Sequence, residues 1–233
     1  MSFQSFQILA DHDVQRLFAQ GLATTIGLFL SAAITAYVIG AALLVVRLSS
    51  RIGRLAVVAF VEYHRNVPAI VQILIWYFGV PQALPEGAQA WANTHLSSFV
   101  FAVTALALNA AAYISEDLRS GFRAVSSGQL EAAKALGFGQ LQAMRLILVP
   151  QAVSNALPAL VNQALSLLKT TSLAMAIGVG DLMYVARQID GETYATFAAY
   201  LTPTVIYLMC TLSLMSLGNH LQKSKHRAKR GAL

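Results

Sequence analysis

Gly128-Gln129-Leu130-Glu131-Ala132-Ala133-Lys134-Ala135-Leu136-Gly137-Phe138-Gly139, followed by Arg145-Leu146-Ile147-Leu148-Val149-Pro150-Gln151, is a charged, amphipathic stretch set between long apolar runs. Ser126 or Ser127 can cap a helix here, and Gln129 to Leu136 would extend it with good propensity. Gly137 ends that helix, because it and Gly139 permit a left-handed or otherwise tight turn. A second helix is expected from Gln140, stopping before Pro150. The result is two short helices at an angle. Ala132 and Ala133 would form a small-residue surface that a partner can approach closely, with Glu131 placed to pair with a basic group across the contact. An interfacial amphipathic helix without a partner is the alternative. The full pattern of Glu131, both alanines, Gly137 six residues on and the distal Pro150 favours docking.

Outward from this stretch, composition places the chain in a membrane. Of its 233 residues 57% are hydrophobic and 11% charged, with a mean hydropathy of +0.60, a balance that argues against a soluble fold. Five apolar segments, 22–46, 57–80, 96–114, 153–179 and 196–217, reach the roughly 20 helical residues needed to cross about 30 Å of hydrocarbon. The expected fold is all-α and polytopic, with about five transmembrane helices.

Charge sets the expected orientation, since cytoplasmic loops carry the excess of Lys and Arg. Arg47, Arg51 and Arg54 follow the first span. Arg119, Arg123, Lys134 and Arg145 lie between the third and fourth, and Lys223, Lys225, Arg227, Lys229 and Arg230 form the tail, so twelve of the sixteen basic residues share one side. The opposite loops are nearly free of them. This places the N-terminus in the periplasm and the C-terminus in the cytoplasm, and divides the chain into an interfacial N-terminal segment (1–20), a five-helix domain (21–221) whose cytoplasmic loop is 116–150, and a basic tail (222–233). Residues 1–20 lack the basic start, apolar core and cleavage site of a secretory signal, and are read as a short interfacial helix that is kept. Topology and anionic lipid explain the basic tail, so no nucleic-acid partner is called for.

Several polar groups interrupt the apolar runs. Glu62 and Arg65, three apart, can pair near a cytoplasmic gate or a second partner contact, or merely snorkel at the interface, and Pro68 would kink the helix or start a new one. Asn109 and Tyr113, four apart, share a helix face and are polar enough to line a solute path; an interhelical hydrogen bond explains Asn109 equally well. Glu116 and Arg119 suit a cytoplasmic exit or an intramolecular salt bridge. The fourth span carries Asn155, Asn162, Gln163, Ser166 and then Lys169-Thr170-Thr171-Ser172. At about 1.5 Å per residue, Lys169 lies roughly 24 Å from the end of the span near Val153. A helix break at Thr170 to Ser172 would open backbone groups to a water-filled cavity. The alternative is that Lys169 snorkels outward and the hydroxyls bond back to their own helix.

Catalytic and energy-coupling signatures are missing. No Gly-rich phosphate loop with a following Lys-Ser or Lys-Thr is present, so the energy source must be another chain. Cys210 is alone, which rules out a disulfide or cysteine metal spacing. An intramembrane enzyme would need an acid/base or metal constellation, and no His-Glu-x-x-His run exists. A passive channel would not need a helical docking loop.

Arg65-Asn66-Val67-Pro68, Tyr113-Ile114-Ser115-Glu116, Gly128-Gln129-Leu130-Glu131-Ala132-Ala133, Val149-Pro150-Gln151-Ala152 and Leu168-Lys169-Thr170-Thr171-Ser172-Leu173-Ala174, ending at Asp181-Leu182, follow the order found in the polar amino acid ABC importer permeases. The chain resembles that family from about Gly21 to about Leu221, and its 116–150 loop resembles the family's EAA loop. The resemblance implies an ABC type I importer permease fold in the bacterial inner membrane, as a homodimer or a heterodimer with a paralogous permease. It also implies two ATPase subunits, which would bind the ATP and Mg while this chain binds no cofactor, and a periplasmic binding protein that delivers an amino acid. Coupling to the ATPase is carried over to Glu131, Ala132, Ala133 and Gly137. Substrate contact is carried over to Asn109, Tyr113 and the Thr170, Thr171 and Ser172 backbone. Within the family, Arg65-Asn66-Val67-Pro68 with Trp76-Tyr77 and Leu84-Pro85-Glu86 is similar to the glutamate/aspartate subunits. Lys169 can attract an anion, whereas Tyr113 stands where another member would place an Arg, which counts against an acidic substrate. Glutamine, histidine and basic amino acids therefore stay open as alternatives.

Overall fold

The structure, a computed structural model, describes residues 3–230, with the side chains of residues 3–5, 221 and 223–230 outside the described set. The cationic side chains of the basic tail thus lie outside the described set. After a 3-10 segment at Phe3–Ala10, the described chain is a succession of helices joined by short turns, with no strand among the described residues. We number them α1 (His12–Ser49), α2 (Arg51–Asn66), α3 (Ala69–Gln82), α4 (Glu86–His95), α5 (Ser98–Arg123), α6 (Ser127–Ala135), α7 (Gln140–Ile177), α8 (Leu182–Thr193) and α9 (Thr196–Arg230).

Among the described residues, four helices are long and apolar enough to cross a membrane: α1, α5, α7 and α9 to His220. The segment 57–80, expected as one span, is two helices broken at Val67 and Pro68. Proline has no N–H to continue the ladder and restricts the residue before it, and Val67 is extended (φ −93°, ψ 128°). The apolar piece after the break, α3, is the shorter one.

Burial shows how the bundle is layered. Over the most apolar window, 56% of α5 is buried, against 22% of α1, 22% of α7 and 17% of α9; α5 is thus the central helix, with α1 and α7 packed on it, while α9 packs on α7 and α8. On α1 the buried positions Gly21, Thr25, Leu28, Ala32, Ala36, Gly40 and Leu44 recur every three or four residues and form one stripe. Leu30, Ile34 and Val38 face outward from the same helix. Such exposure of large apolar side chains on a long helix suits lipid, not water. The main core joins Leu28, Ala32 and Ala36 of α1 to Ala105, Leu106 and Ala110 of α5 and Leu160 and Leu167 of α7. A second cluster packs Phe18 of α1 on Leu182, Val185 and Ile189 of α8 and Ala199 of α9.

Small residues set the helix spacing. A Cβ at Gly121 would lie 2.4 Å from the Ala152 carbonyl oxygen and 2.8 Å from the Ala156 Cβ, so only glycine lets α5 and α7 approach this closely. Polar groups then tie the helices. Tyr37 Oη donates to the Leu160 carbonyl at 2.7 Å, joining α1 to α7. Glu116 on α5 accepts from Arg47 on α1 and from Arg119 one turn along its own helix. The Glu116–Arg119 salt bridge anticipated from sequence is therefore present, and Arg47 extends it to a second helix.

Proline does not end α7. The helix from Gln140 was expected to stop before Pro150, yet it runs on to Ile177. A π turn at Met144–Leu148 precedes Pro150, and the Val149 N–H bonds to the Met144 carbonyl. The wider turn places Pro150 in the first turn of the next α segment, where a missing N–H costs nothing within the helix.

Candidate functional site

The chain break at Pro68 creates the local problem around which the site is built. In an unbroken helix the His64 carbonyl would accept from the N–H of residue 68, which proline lacks. Two side-chain amides take its place: Gln72 Nε2 donates to the His64 carbonyl at 2.9 Å and to the Val67 carbonyl at 2.8 Å, and Asn109 Nδ2 donates to the His64 carbonyl at 2.7 Å. Tyr113 Oη, one turn along α5 from Asn109, donates to the Arg65 carbonyl at 3.3 Å, and the Arg65 guanidinium lies 5.2 Å from the centre of the Tyr113 ring. The shared face of Asn109 and Tyr113 thus meets the end of α2.

Beside this junction is a cavity of about 460 Å³. Its polar lining comes from Arg65 and Asn66 at the end of α2, Asn109 and Tyr113 on α5, and Gln163, Ser166 and Thr170 on α7. Val67, Pro68, Leu106 and Leu167 supply apolar wall. A partly apolar pocket of this size with a few convergent polar groups matches the usual form of a small-molecule site.

The remaining anticipated residues divide. Glu62 and Arg65 form no ion pair among the described residues: Glu62 accepts from Asn66 Nδ2 at 3.0 Å, while Arg65 turns toward Tyr113. Of the Lys169 to Ser172 group only Thr170 lines the cavity. Instead of a break, α7 tightens into a 3-10 turn at Thr171–Ile177. Thr170, Thr171 and Ser172 donate to the carbonyls of Ser166, Leu168 and Lys169 at 2.8, 2.7 and 2.8 Å. Tightened i to i+3 bonding absorbs the change in helix geometry without exposing backbone to the cavity. Thr171 is fully buried, and Lys169 is exposed and lines no part of the cavity. Gln72 was not singled out from sequence. Its only local signal is a polar residue one turn after a proline, near the carbonyl that proline strands.

At the far end of α5 lies the loop from Ser127 to Gly139. α6 ends where expected, with Gly137 at φ +81°. The Phe138 N–H bonds to the Ala133 carbonyl and the Gly137 N–H to the Lys134 carbonyl, both at 3.0 Å, which is the Schellman arrangement. Ser126 occupies the N-cap without a side-chain bond. Glu131 and Ala132 are exposed, but Ala133 is 1% exposed. Ala133 therefore faces its own chain, since α6 packs on the π turn of α7, and the outward small-residue surface reduces to Ala132. Leu136 and Leu141 stand out on either side of the turn, 76% and 71% exposed.

Comparison with known proteins gives the family and the fold. The chain belongs to the family described as binding-protein-dependent transport system inner membrane component, whose model matches residues 32–227. It is 35% identical over 205 residues to the arginine transport system permease protein ArtQ of Bacillus subtilis, covering 88% of this chain and 90% of that protein. It is 36% identical over 165 residues to the probable glutamine ABC transporter permease protein GlnM of Bacillus subtilis, covering 71% and 72%. It is also 34% identical over 199 residues to the histidine/lysine/arginine/ornithine transport system permease protein HisM of Salmonella typhimurium, covering 84% and 85%. Among solved structures, an amino acid ABC transporter crystallised with histidines superposes with a TM-score of 0.83 at 32% identity, covering 94% of this chain and 98% of that one. The MetNI methionine ABC transporter, at 18% identity and a TM-score of 0.71, shares the fold. The protein is accordingly the multi-pass inner membrane permease subunit of an amino acid ABC importer, a transport component and not an enzyme. Membership brings an ATPase and a substrate-binding protein as partners.

Proposed function

We propose that this permease carries a polar amino acid through the cavity between α2, α5 and α7, and that α6 couples the movement to ATP. The carrying observation is the cavity itself, whose polar groups come from three helices, one of them the central α5. Asn109, Tyr113 and Thr170 are the anticipated pathway residues that line it. ArtQ, GlnM and HisM are named for arginine, for glutamine and for the histidine group, which makes these amino acids candidates here. Glutamate and aspartate join them on the likeness of Arg65-Asn66-Val67-Pro68, Trp76-Tyr77 and Leu84-Pro85-Glu86 to the acidic amino acid subunits.

The working unit is a pair of permeases, identical or paralogous, with two ATPase subunits that hold ATP and Mg, and a periplasmic binding protein that delivers the substrate. With the N-terminus in the periplasm and the basic loops in the cytoplasm, Glu131, Ala132 and the exposed Leu136 and Leu141 meet the ATPase. ATP-driven closure of the ATPase dimer brings the two α6 helices together and opens the spans outward; hydrolysis reverses it. A ligand drives such a change only through different affinity for the two states, and ATP and the loaded binding protein supply that difference. Ala132→Cys tests the contact, since Ala132 is exposed where Ala133 is not. Crosslinking in native membranes should capture an ATPase subunit at Ala132→Cys. Failure to capture one there, with the transporter otherwise intact, would remove α6 from the coupling path.

A further inference from the structure

The cavity's polar groups are unevenly occupied. Asn66 Nδ2 is held by Glu62, Asn109 Nδ2 by the His64 carbonyl, Tyr113 Oη by the Arg65 carbonyl and Thr170 Oγ1 by the Ser166 carbonyl. Three side chains remain uncommitted among the described residues. The Arg65 guanidinium has no ion pair, only the Tyr113 ring, and the Gln163 amide and Ser166 hydroxyl line the cavity from α7. Among the described residues no carboxylate lines the cavity. Glu62 is turned to Asn66, and Asp117, on α5 one turn beyond Tyr113, acts on Arg65 only at a distance and outside the lining.

That inventory constrains what the cavity can hold. An α-carboxylate suits a planar guanidinium, which binds it through two parallel hydrogen bonds. An α-ammonium finds acceptors in the side-chain oxygens of Asn109 and Gln163. A second positive charge on the ligand finds no anion in the lining and meets the like charge of Arg65. A side-chain amide, hydroxyl or carboxylate meets instead the donor hydrogens of Gln163 or Arg65.

We infer that the cavity accepts amino acids with an uncharged polar or acidic side chain and refuses cationic ones, and that Gln163 is the residue that decides this. The inference rests on the cavity being the place where substrate is held. It sets this chain apart from relatives named for arginine or for the histidine, lysine, arginine and ornithine group.

The test is direct binding to the permease complex with its ATPase, purified into lipid nanodiscs without the binding protein, using radiolabelled L-glutamine, L-glutamate and L-arginine. Glutamine or glutamate should bind at least tenfold more tightly than arginine. Gln163→Glu, which places a carboxylate in the wall, should raise arginine affinity at least tenfold; Ser166→Asp, at an exposed position of the same wall, does the same should Gln163→Glu fail to fold. Arginine binding as tight as glutamine and glutamate in the unaltered protein, or a ratio unmoved by both carboxylates, overturns the charge rule. Ser166→Trp separates the underlying reading, because a bulky ring there should abolish binding of all three. Undiminished binding in a folded Ser166→Trp protein means that the cavity is not the holding site.

Discussion

At the scale of single residues, the junction at Pro68 depends on side chains that replace missing backbone bonds. Asn109 and Gln72 both serve the His64 carbonyl. Removing Asn109 leaves Gln72 in place, so Asn109→Ala should cost about 1 kcal/mol, the typical worth of one hydrogen bond. A lower thermal midpoint in detergent, with assembly preserved, is the expected reading. The face shared by Asn109 and Tyr113 was legible because i, i+4 spacing on a helix needs no knowledge of the fold. Whether Glu62 and Arg65 pair, which the sequence left open, was not legible for the opposite reason. Spacing permits that pair, but Asn66 and Tyr113 compete for its members, and Tyr113 comes from a helix 48 residues away. Ala133 teaches the same lesson, since which side of a short helix is buried depends on what packs beneath it.

Among the elements, α5 and α7 carry the closest contact. Gly121 faces the Ala152 carbonyl and Ala156, so Gly121→Val must push the helices apart or strain them. Overpacking of this kind costs about 1–3 kcal/mol. The variant should show a clearly lower thermal midpoint than Gly87→Val, which meets nothing within 4 Å. The helical character of every element, the turn at Gly137 and an irregularity at Pro68, a kink or a new start, were readable from propensity and from glycine and proline chemistry. The continuity of α7 was not. A proline need not stop a helix, as Pro158 further along α7 and Pro203 in α9 show, and the π turn at Met144–Leu148 accommodates Pro150 through local geometry that residue types do not announce. At Thr170 to Ser172 the sequence left open a break or hydroxyls bonded back to their own helix, and the second is found, with a 3-10 end at Thr171–Ile177.

For the whole molecule, composition and the order of motifs were enough to indicate a bundle in a membrane, while the central place of α5 emerged only from packing. Orientation is open to a simple check. In a Cys210→Ser background, the sequence having one cysteine, Ala132→Cys should react with a membrane-impermeant maleimide only when the cytoplasmic face is open. Gly87→Cys, on exposed α4, should react from the periplasmic side of intact cells. The reverse pattern would invert the topology and detach α6 from any cytoplasmic partner.

ATP coupling through α6 is most directly tested by uptake of labelled amino acid into proteoliposomes holding the complete transporter, with and without ATP, for the unaltered protein and for Gly137→Val. Gly137 sits at φ +81°, a conformation that a β-branched residue resists, so the substitution should disturb the turn after α6 while membrane insertion persists. The expected result is uptake that requires ATP in the unaltered protein and is lost in Gly137→Val. Uptake that proceeds without ATP, or at the normal rate in an inserted Gly137→Val protein, would contradict the coupling.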